Sequence, residues 1–246
     1  MTRVSEDYHS EVAIIGGGVA GRSAGIFTAR HGLETVVLSA GSLLLRRNAH
    51  LENYPGFPAG VNSRLLLDLM RDQAERFGCK FHDAEVTRLE PIENGFSIET
   101  ASGDSRSAEY VIAATKNATG YVDGIDGVTI VERGEEFVET DDRGRTGVDG
   151  LYAAGRLAAK PHQTIIAAGH GAEVAVTLLE EHGGGFFHDW VAPEGYFTGR
   201  GIDVPPGVEE IDEEERRRRE RESMKTMREY FAETHPDEPE RHPNVR

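Results

Sequence analysis

EVAIIGGGVAGRSAGIFTARHGLETVVLS, residues 11–39, is the stretch that decides the fold. An apolar run from Glu11 to Ile15 meets three consecutive glycines, a small-residue helical segment follows, and a second apolar run, TVVLS, ends at Ser39. Strand, glycine turn, helix and strand in this order make a βαβ unit with parallel strands. Gly16, Gly18 and Gly21 hold the GxGxxG spacing of a dinucleotide-binding loop. Gly16 permits the tight turn, Gly18 lets the backbone approach a pyrophosphate, and Gly21 lets the helix pack closely on the strand. The helix N-terminus adds unpaired N–H groups and the positive end of its dipole. A glycine-rich turn without a ligand is the alternative, and the strand–turn–helix context weighs against it. Where an Asp or Glu would usually bind a ribose at the end of the second strand, this chain has Ser39. Its hydroxyl still bonds a ribose but does not repel a 2'-phosphate, so NADP stays open as an alternative ligand, with Arg46 and Arg47 nearby.

The composition narrows the classes. The net charge is -16 over 246 residues, and lysine occurs only at Lys80, Lys116, Lys160 and Lys225. Abundant carboxylates with arginine in place of lysine suit a cytosol of high salt, where repulsion is screened within a few ångströms. The reading is therefore a halophilic, cytoplasmic protein, with an ordinary acidic protein as the alternative. Such a surface opposes non-specific binding to nucleic acid or anionic membrane. No apolar run is long enough to span a bilayer, and MTRVSEDYHS lacks a signal-peptide core. Cys79 is the single cysteine, which leaves no intrachain disulfide, CxxC pair or cysteine-based zinc site. It reads as a small apolar residue at a helix-to-strand junction. His170 and His182 have no ligand spacing with other metal-binding residues, so no metal is assigned.

Farther along, LENYPGFPAG precedes an amphipathic helix, SRLLLDLMRDQAERFG. Strands follow around Lys80–His82, Glu85–Leu89 and Gly95–Thr100, ending in AEYVIAAT. The second half begins with TDDRGRTGVDGLYAAGR and continues as HQTIIAAGHGAEVA, a short strand, a glycine turn and a helix from Gln163 to about Glu181. This ordered series, over residues 11–181, resembles thioredoxin reductases and related low-molecular-weight flavin disulfide reductases. The resemblance implies FAD held by a Rossmann-like α/β domain of the three-layer ββα type, in two sequence halves of about 1–120 and 137–182. It also implies that Asn53 of the ENYPGF loop, Thr115 of the turn after YVIAAT, and Gly155, Arg156, His162, Gln163 and Thr164 of the second half line the flavin site. His162 would stand beside the flavin edge as a donor or proton relay, where the helix dipole favours negative charge.

The departures from that family bear on mechanism. Its members insert an NADPH-binding domain with a CxxC pair between the halves, whereas KNATGYVDGIDGVTIVERGEE alone joins Thr115 to Phe137. A βαβ unit needs about thirty residues, so this linker cannot hold a second nucleotide fold. The usual ATG is Ala114-Thr115-Lys116, and the usual Asp after the glycine is Arg156. Guanidinium only donates, so it cannot accept sugar hydroxyls, but it pairs well with a diphosphate. Arg156 is expected to point into the site and bind the diphosphate; the alternative turns it outward to an acid such as Asp141 or Asp142.

Residues 183–246 lie outside the resemblance. GGGFFHDWVAPEGYFTGRGIDVPPG reads as an irregular aromatic-rich segment, VEEIDEEERRRRERESMKTMREYFAE as a charged helix, and THPDEPERHPNVR as extended. Asp212, Glu213, Glu214 and Glu215 are each spaced to pair with the arginine four residues on, which neutralises the run and argues against nucleic-acid binding. Met224, Met227, Tyr230 and Phe231 form an apolar stripe that would pack on the domain or on a second subunit of a homodimer. The sequence thus predicts an FAD flavoprotein oxidoreductase that moves electrons between a separate donor protein and an unidentified acceptor. Two alternatives remain: a non-catalytic nucleotide-binding or assembly module with a degenerate flavin site, and a small NADP-binding reductase.

Overall fold

The computed structural model describes residues 9–183 and 188–242. Its chain divides into two compact units, residues 1–179 with 237–246, and residues 180–236. Phe186 and Phe187 of the aromatic-rich segment, the first eight residues and the last four lie outside the described residues.

The first unit opens with β1 (His9–Ile15), α1 (Val19–Arg30) and β2 (Thr35–Ser39). A 3₁₀ turn over Leu44–Arg47 leads to α2 (Ser63–Arg76) and β3 (Lys80–Asp83). Next come β4 (Val86–Ile92), β5 (Gly95–Thr100) and β6 (Ser105–Ala113), then a hairpin of β7 (Ile130–Glu132) and β8 (Glu136–Val138). β9 (Leu151–Ala153), a 3₁₀ turn over Gly155–Ala158 and α3 (Thr164–His182) complete it.

The sheet runs β3-β2-β1-β6-β5-β4, and β9 also pairs with β6. β1 lies between two parallel neighbours, so Val12 to Ile15 are all buried, as an apolar run without polar alternation requires. The second edge of β6 is shared. Its first half, Ser105–Ala108, pairs antiparallel with β5, while Val111–Ala113 pair parallel with β9. That split inserts the second sequence half into the sheet begun by the first.

Two opposite faces make the three layers. Ala13, Ile15, Val36 and Leu38 join one core with Leu89, Phe96 and Ile98 of the antiparallel meander, with Tyr121 and Val122 of the linker and with Val138 of β8. The other face carries α1: a Cβ at Gly25 would stand 3.5 Å from Ile14 and 3.6 Å from Val37. Cys79 packs into the same layer, and burial pushes its thiol up to about 12, as suits a small apolar role. α2 starts where Asn62 accepts the N–H groups of Arg64 and Leu65.

In the second unit, β10 (Trp190–Pro193) and β11 (Val208–Ile211) pair in parallel and precede α4 (Glu213–Tyr230). The expected helix from Val208 is therefore corrected: Val208–Ile211 is a strand because β10 supplies its ladder, and the Asp212 side chain caps α4 through the Glu215 N–H. Two of the expected ion pairs are present, Glu213–Arg217 and Glu215–Arg219. Asp212 is used as the cap instead, Arg216 turns to Glu220, and Arg218 reaches Glu215 at three-residue spacing. Trp190, Tyr196 and Phe197 meet edge to face, with ring centroids 4.7 to 5.7 Å apart. Glu210 accepts the backbone N–H groups of Gly195, Phe197 and Thr198, which hold its carboxyl down at about 2.

Candidate functional site

A cleft of about 940 Å³ opens where β1, β2 and β6 end, which is where open α/β sheets place their ligands. Residues 16–20 line it, and Gly16 and Gly21 each have a steric reason. Gly16 takes φ +112°, and a Cβ on it would lie 2.5 Å from the Ala114 carbonyl oxygen. A Cβ on Gly21 would lie 1.9 Å from the Gly16 oxygen, so no larger residue lets α1 start this close to the loop. Gly18 differs: nothing lies within 4 Å of its Cβ position, leaving a bare backbone lining the cleft. Gly18 also caps α1 without any side-chain bond to the first turn, and that turn contains no acid. These are the features of a seat for a phosphate group.

The remaining expected residues gather around the same cleft. Ser39, Asn53, Thr115, Arg156, His162, Gln163 and Thr164 all line it. Asn53 Nδ2 donates to Gln163 Oε1 at 2.9 Å, joining residues 110 positions apart. The Thr115 hydroxyl donates to the Ala118 carbonyl at 2.7 Å and lies 3.0 Å from the Tyr121 hydroxyl, whose buried phenol is pushed well above its usual range. Gly155, at φ +66°, places the second half against the first: its Cβ would meet the Ala20 methyl at 2.8 Å. Arg46 is not a cleft residue. It is held by Asp237 at 2.6 Å and Glu240 at 2.7 Å, both from the tail, whereas Arg47 does line the cleft.

Arg156 lines the cleft and also has an acidic partner, though neither Asp141 nor Asp142. Its Nη2 donates to Glu135 Oε2 at 2.9 Å, and its guanidinium stacks 4.7 Å from the centre of the Phe137 ring. Asp141 is engaged instead by Arg145 at 2.8 Å. Lys116, which stands where a glycine is expected, adopts φ +66° and places Nζ 4.0 Å from the same Glu135. Both departures from the expected motif thus meet one carboxylate of the linker.

Several supporting residues were not foreseen. Arg22, buried on α1, donates through Nε to the Gly17 carbonyl at 2.7 Å and through Nη1 to the Leu67 carbonyl. Burial lowers its pKa to about 10. Arg64, 2 % exposed, donates to the Asn48 carbonyl at 2.7 Å and the Arg46 carbonyl at 3.3 Å, fixing the cleft wall. His170 Nδ1 accepts the Gly155 N–H at 2.9 Å, and a Cβ on Gly171 would stand 2.1 Å from the Ala20 oxygen. One signal was available for Arg22: it is the only charged residue in the small-residue run AGRSAG.

No protein-family model matches the chain. Thioredoxin reductase of Penicillium chrysogenum is 33 % identical over 120 residues, covering 44 % of this chain and 36 % of that protein. The bifunctional thioredoxin reductase/thioredoxin of Mycobacterium leprae is 36 % identical over 117 residues, covering 46 % and 25 % respectively. Thioredoxin reductase of Gloeobacter violaceus superposes with a TM-score of 0.67 at 18 % identity, over 75 % of this chain and 100 % of that one. About half of this chain is thioredoxin reductase-like. The thioredoxin reductase-like chain covers between a quarter and about a third of the length of these two curated relatives, 25 % and 36 %. A ferredoxin-flavin thioredoxin reductase of Clostridium acetobutylicum has the same fold, with a TM-score of 0.61 at 17 % identity over 70 % of this chain and 98 % of that one. Among the described residues no helix is long and apolar enough to cross a membrane, and no group of three or more His, Cys, Asp or Glu could hold a metal ion.

Proposed function

We propose that this chain is an FAD-binding flavoprotein oxidoreductase that receives electrons from a separate donor protein. The supporting observation is charge. In a chain of net charge -16 the cleft is lined by Arg47, Lys116 and Arg156 against Glu85 as the one acidic lining residue, with Glu135 beside Lys116 and Arg156 as a further acid. A cationic cleft in an acidic protein draws in a polyanion, and the open Gly18 backbone at the α1 N-terminus fits its diphosphate. Gly16, Gly18 and Gly21 would shape that seat, Ser39 would bond the adenosine ribose, and Asn53, Thr115, Gly155, Arg156, His162, Gln163 and Thr164 would border the flavin arm.

When bound, FAD would supply reversible two-electron chemistry; the chain's residues bind and orient it. The Asn53–Gln163 bond would fix the wall beside the first turn of α3. That helix end favours negative charge and so a higher reduction potential. The linker from Lys116 to Glu136 contains a hairpin and turns only, and the sole cysteine is buried with a raised pKa. Neither feature offers a nicotinamide site or a dithiol, which is why the donor is placed on another protein. The halophilic and cytoplasmic readings, and a homodimer through the α4 stripe, belong to the same proposal.

Purified protein titrated with FAD at high salt should become yellow, quench flavin fluorescence at a stoichiometry of one, and show negligible NADPH-dependent disulfide reduction. A folded protein that takes up no FAD would reject the proposal and leave the non-catalytic module. Uptake of NADP in place of FAD would favour the small reductase, for which Arg47 rather than Arg46 lines the cleft.

A further inference from the structure

Glu135 sits in the turn between β7 and β8, where Gly134 takes φ +78° and the Arg133 N–H bonds the Glu135 carbonyl at 2.9 Å. Its neighbours anchor the hairpin over the cleft edge: Glu136 accepts the Thr119 hydroxyl, and the Phe137 ring lies 4.7 Å from the Arg156 guanidinium. The Glu135 carboxylate thereby reaches Arg156 at 2.9 Å and Lys116 at 4.0 Å. Those two residues leave β6 and β9, the strands at which the first sequence half ends and the second begins, and both line the cleft. Lys116 holds this place in a left-handed backbone conformation that an L side chain disfavours.

We propose that Glu135 is an internal counter-anion of the cleft, which competes with the diphosphate of an incoming dinucleotide for Lys116 and Arg156 and so sets how tightly the cofactor is held. The inference rests on the dinucleotide reading above and adds to it a regulating residue. A carboxylate and a phosphate oxygen make the same charge-assisted bond with guanidinium or ammonium. A tethered carboxylate acts at a high effective concentration, so an entering phosphate must displace it. The Arg156 bond, followed by the nearby charges of Lys116, Arg156 and His162, holds the Glu135 carboxyl below its usual range, so it remains an anion at neutral pH. Salt weakens the internal pair and the ligand's attraction together, and a carboxylate at this position damps cofactor binding most when salt is low.

The test is calorimetric titration of inorganic pyrophosphate, and separately of FAD, into the wild-type chain and Glu135→Gln. A triple variant adding Lys116→Met and Arg156→Met serves as control. Glu135→Gln should bind pyrophosphate and FAD roughly tenfold more tightly at low salt. The gain should shrink at molar salt and vanish in the triple variant. Pyrophosphate bound by Glu135→Gln no more tightly than by wild type would overturn the proposal, and weaker binding would mean that Glu135 positions the cations rather than opposing the ligand. Failure of both proteins to bind pyrophosphate overturns it too. A gain on pyrophosphate while neither protein takes up FAD upholds the competition and rejects the flavin reading. The Glu135 side chain is 37 % exposed, and Glu135→Ala with a matched near-UV circular dichroism spectrum checks that any change is not misfolding.

Discussion

Lowering the pH from 7 to 4 should remove stability through one residue in particular, His170. Its ring is buried on α3, Nδ1 accepts the Gly155 N–H at 2.9 Å, and Nε2 is buried without a hydrogen-bond partner. An accepting Nδ1 requires the neutral ring with its proton on Nε2. Burial first, and repulsion from Lys160 second, push the pKa from 6.5 down to about 4. The unfolded chain therefore takes up a proton near pH 6.5, while the folded chain does not until about pH 4. The stability contributed by this mismatch is intact above about pH 6.5, declines as the pH falls to about 4, and declines no further below that. An interval of about 2.5 pH units, at about 1.4 kcal/mol each, amounts to about 3 kcal/mol. Urea unfolding followed by circular dichroism at pH 7, 5.5 and 4 and constant high salt would measure it, with His170→Asn as reference. The amide oxygen of Asn can accept the Gly155 N–H but never becomes charged, and every other titrating group is shared. Wild type should lose about 2 to 3 kcal/mol more than the variant between pH 7 and pH 4. Parallel losses in the two proteins would refute the assignment of a neutral, accepting ring.

Two glycines of the GxGxxG motif, Gly18 at the α1 N-cap and Gly21 in its first turn, should respond in opposite ways. Gly18→Ala meets nothing within 4 Å at φ -72°, so stability should hold within about 0.5 kcal/mol while FAD binding falls. Gly21→Ala drives a Cβ to 1.9 Å from the Gly16 oxygen and should cost about 3 kcal/mol or more in urea unfolding; a stable Gly21→Ala protein would contradict the loop geometry. Arg64→Met removes the donor to the Asn48 carbonyl and should lower stability by about 2 to 4 kcal/mol at an unchanged urea slope. A loss below about 0.5 kcal/mol would show that this wall of the cleft does not depend on the buried guanidinium.

The features legible from the chain are those whose physics acts within a few residues. Glycines at 16, 18 and 21 between an apolar strand and a helix announce the phosphate loop because the turn, the bare backbone and the close packing are all local demands. α2 follows from periodicity, and the four consecutive buried residues Val12–Ile15 follow from an apolar run without alternation. Even the departures at Lys116 and Arg156 are visible in sequence, since each stands where a particular residue type is expected.

What those departures do depends on contacts that no local pattern encodes. Arg156 selects Glu135, 21 residues away, because β8 of the hairpin lies against the turn that follows β9, with the Phe137 ring 4.7 Å from the guanidinium, and Asp141 is already held by Arg145. Val208–Ile211 shares the acidic texture of the helix that follows, yet it is a strand because β10 supplies its hydrogen bonds. Asn53 meets Gln163 only after two sequence halves join through the divided edge of β6, and His170 meets Gly155 only once α3 packs back against the turn after β9. The sequence by itself determined the βαβ unit, its phosphate loop and the acidic character of the chain. Tertiary structure alone decided which charges confront one another across the cleft, because an ion pair or a hydrogen bond depends on a few ångströms of separation that sequence distance does not specify.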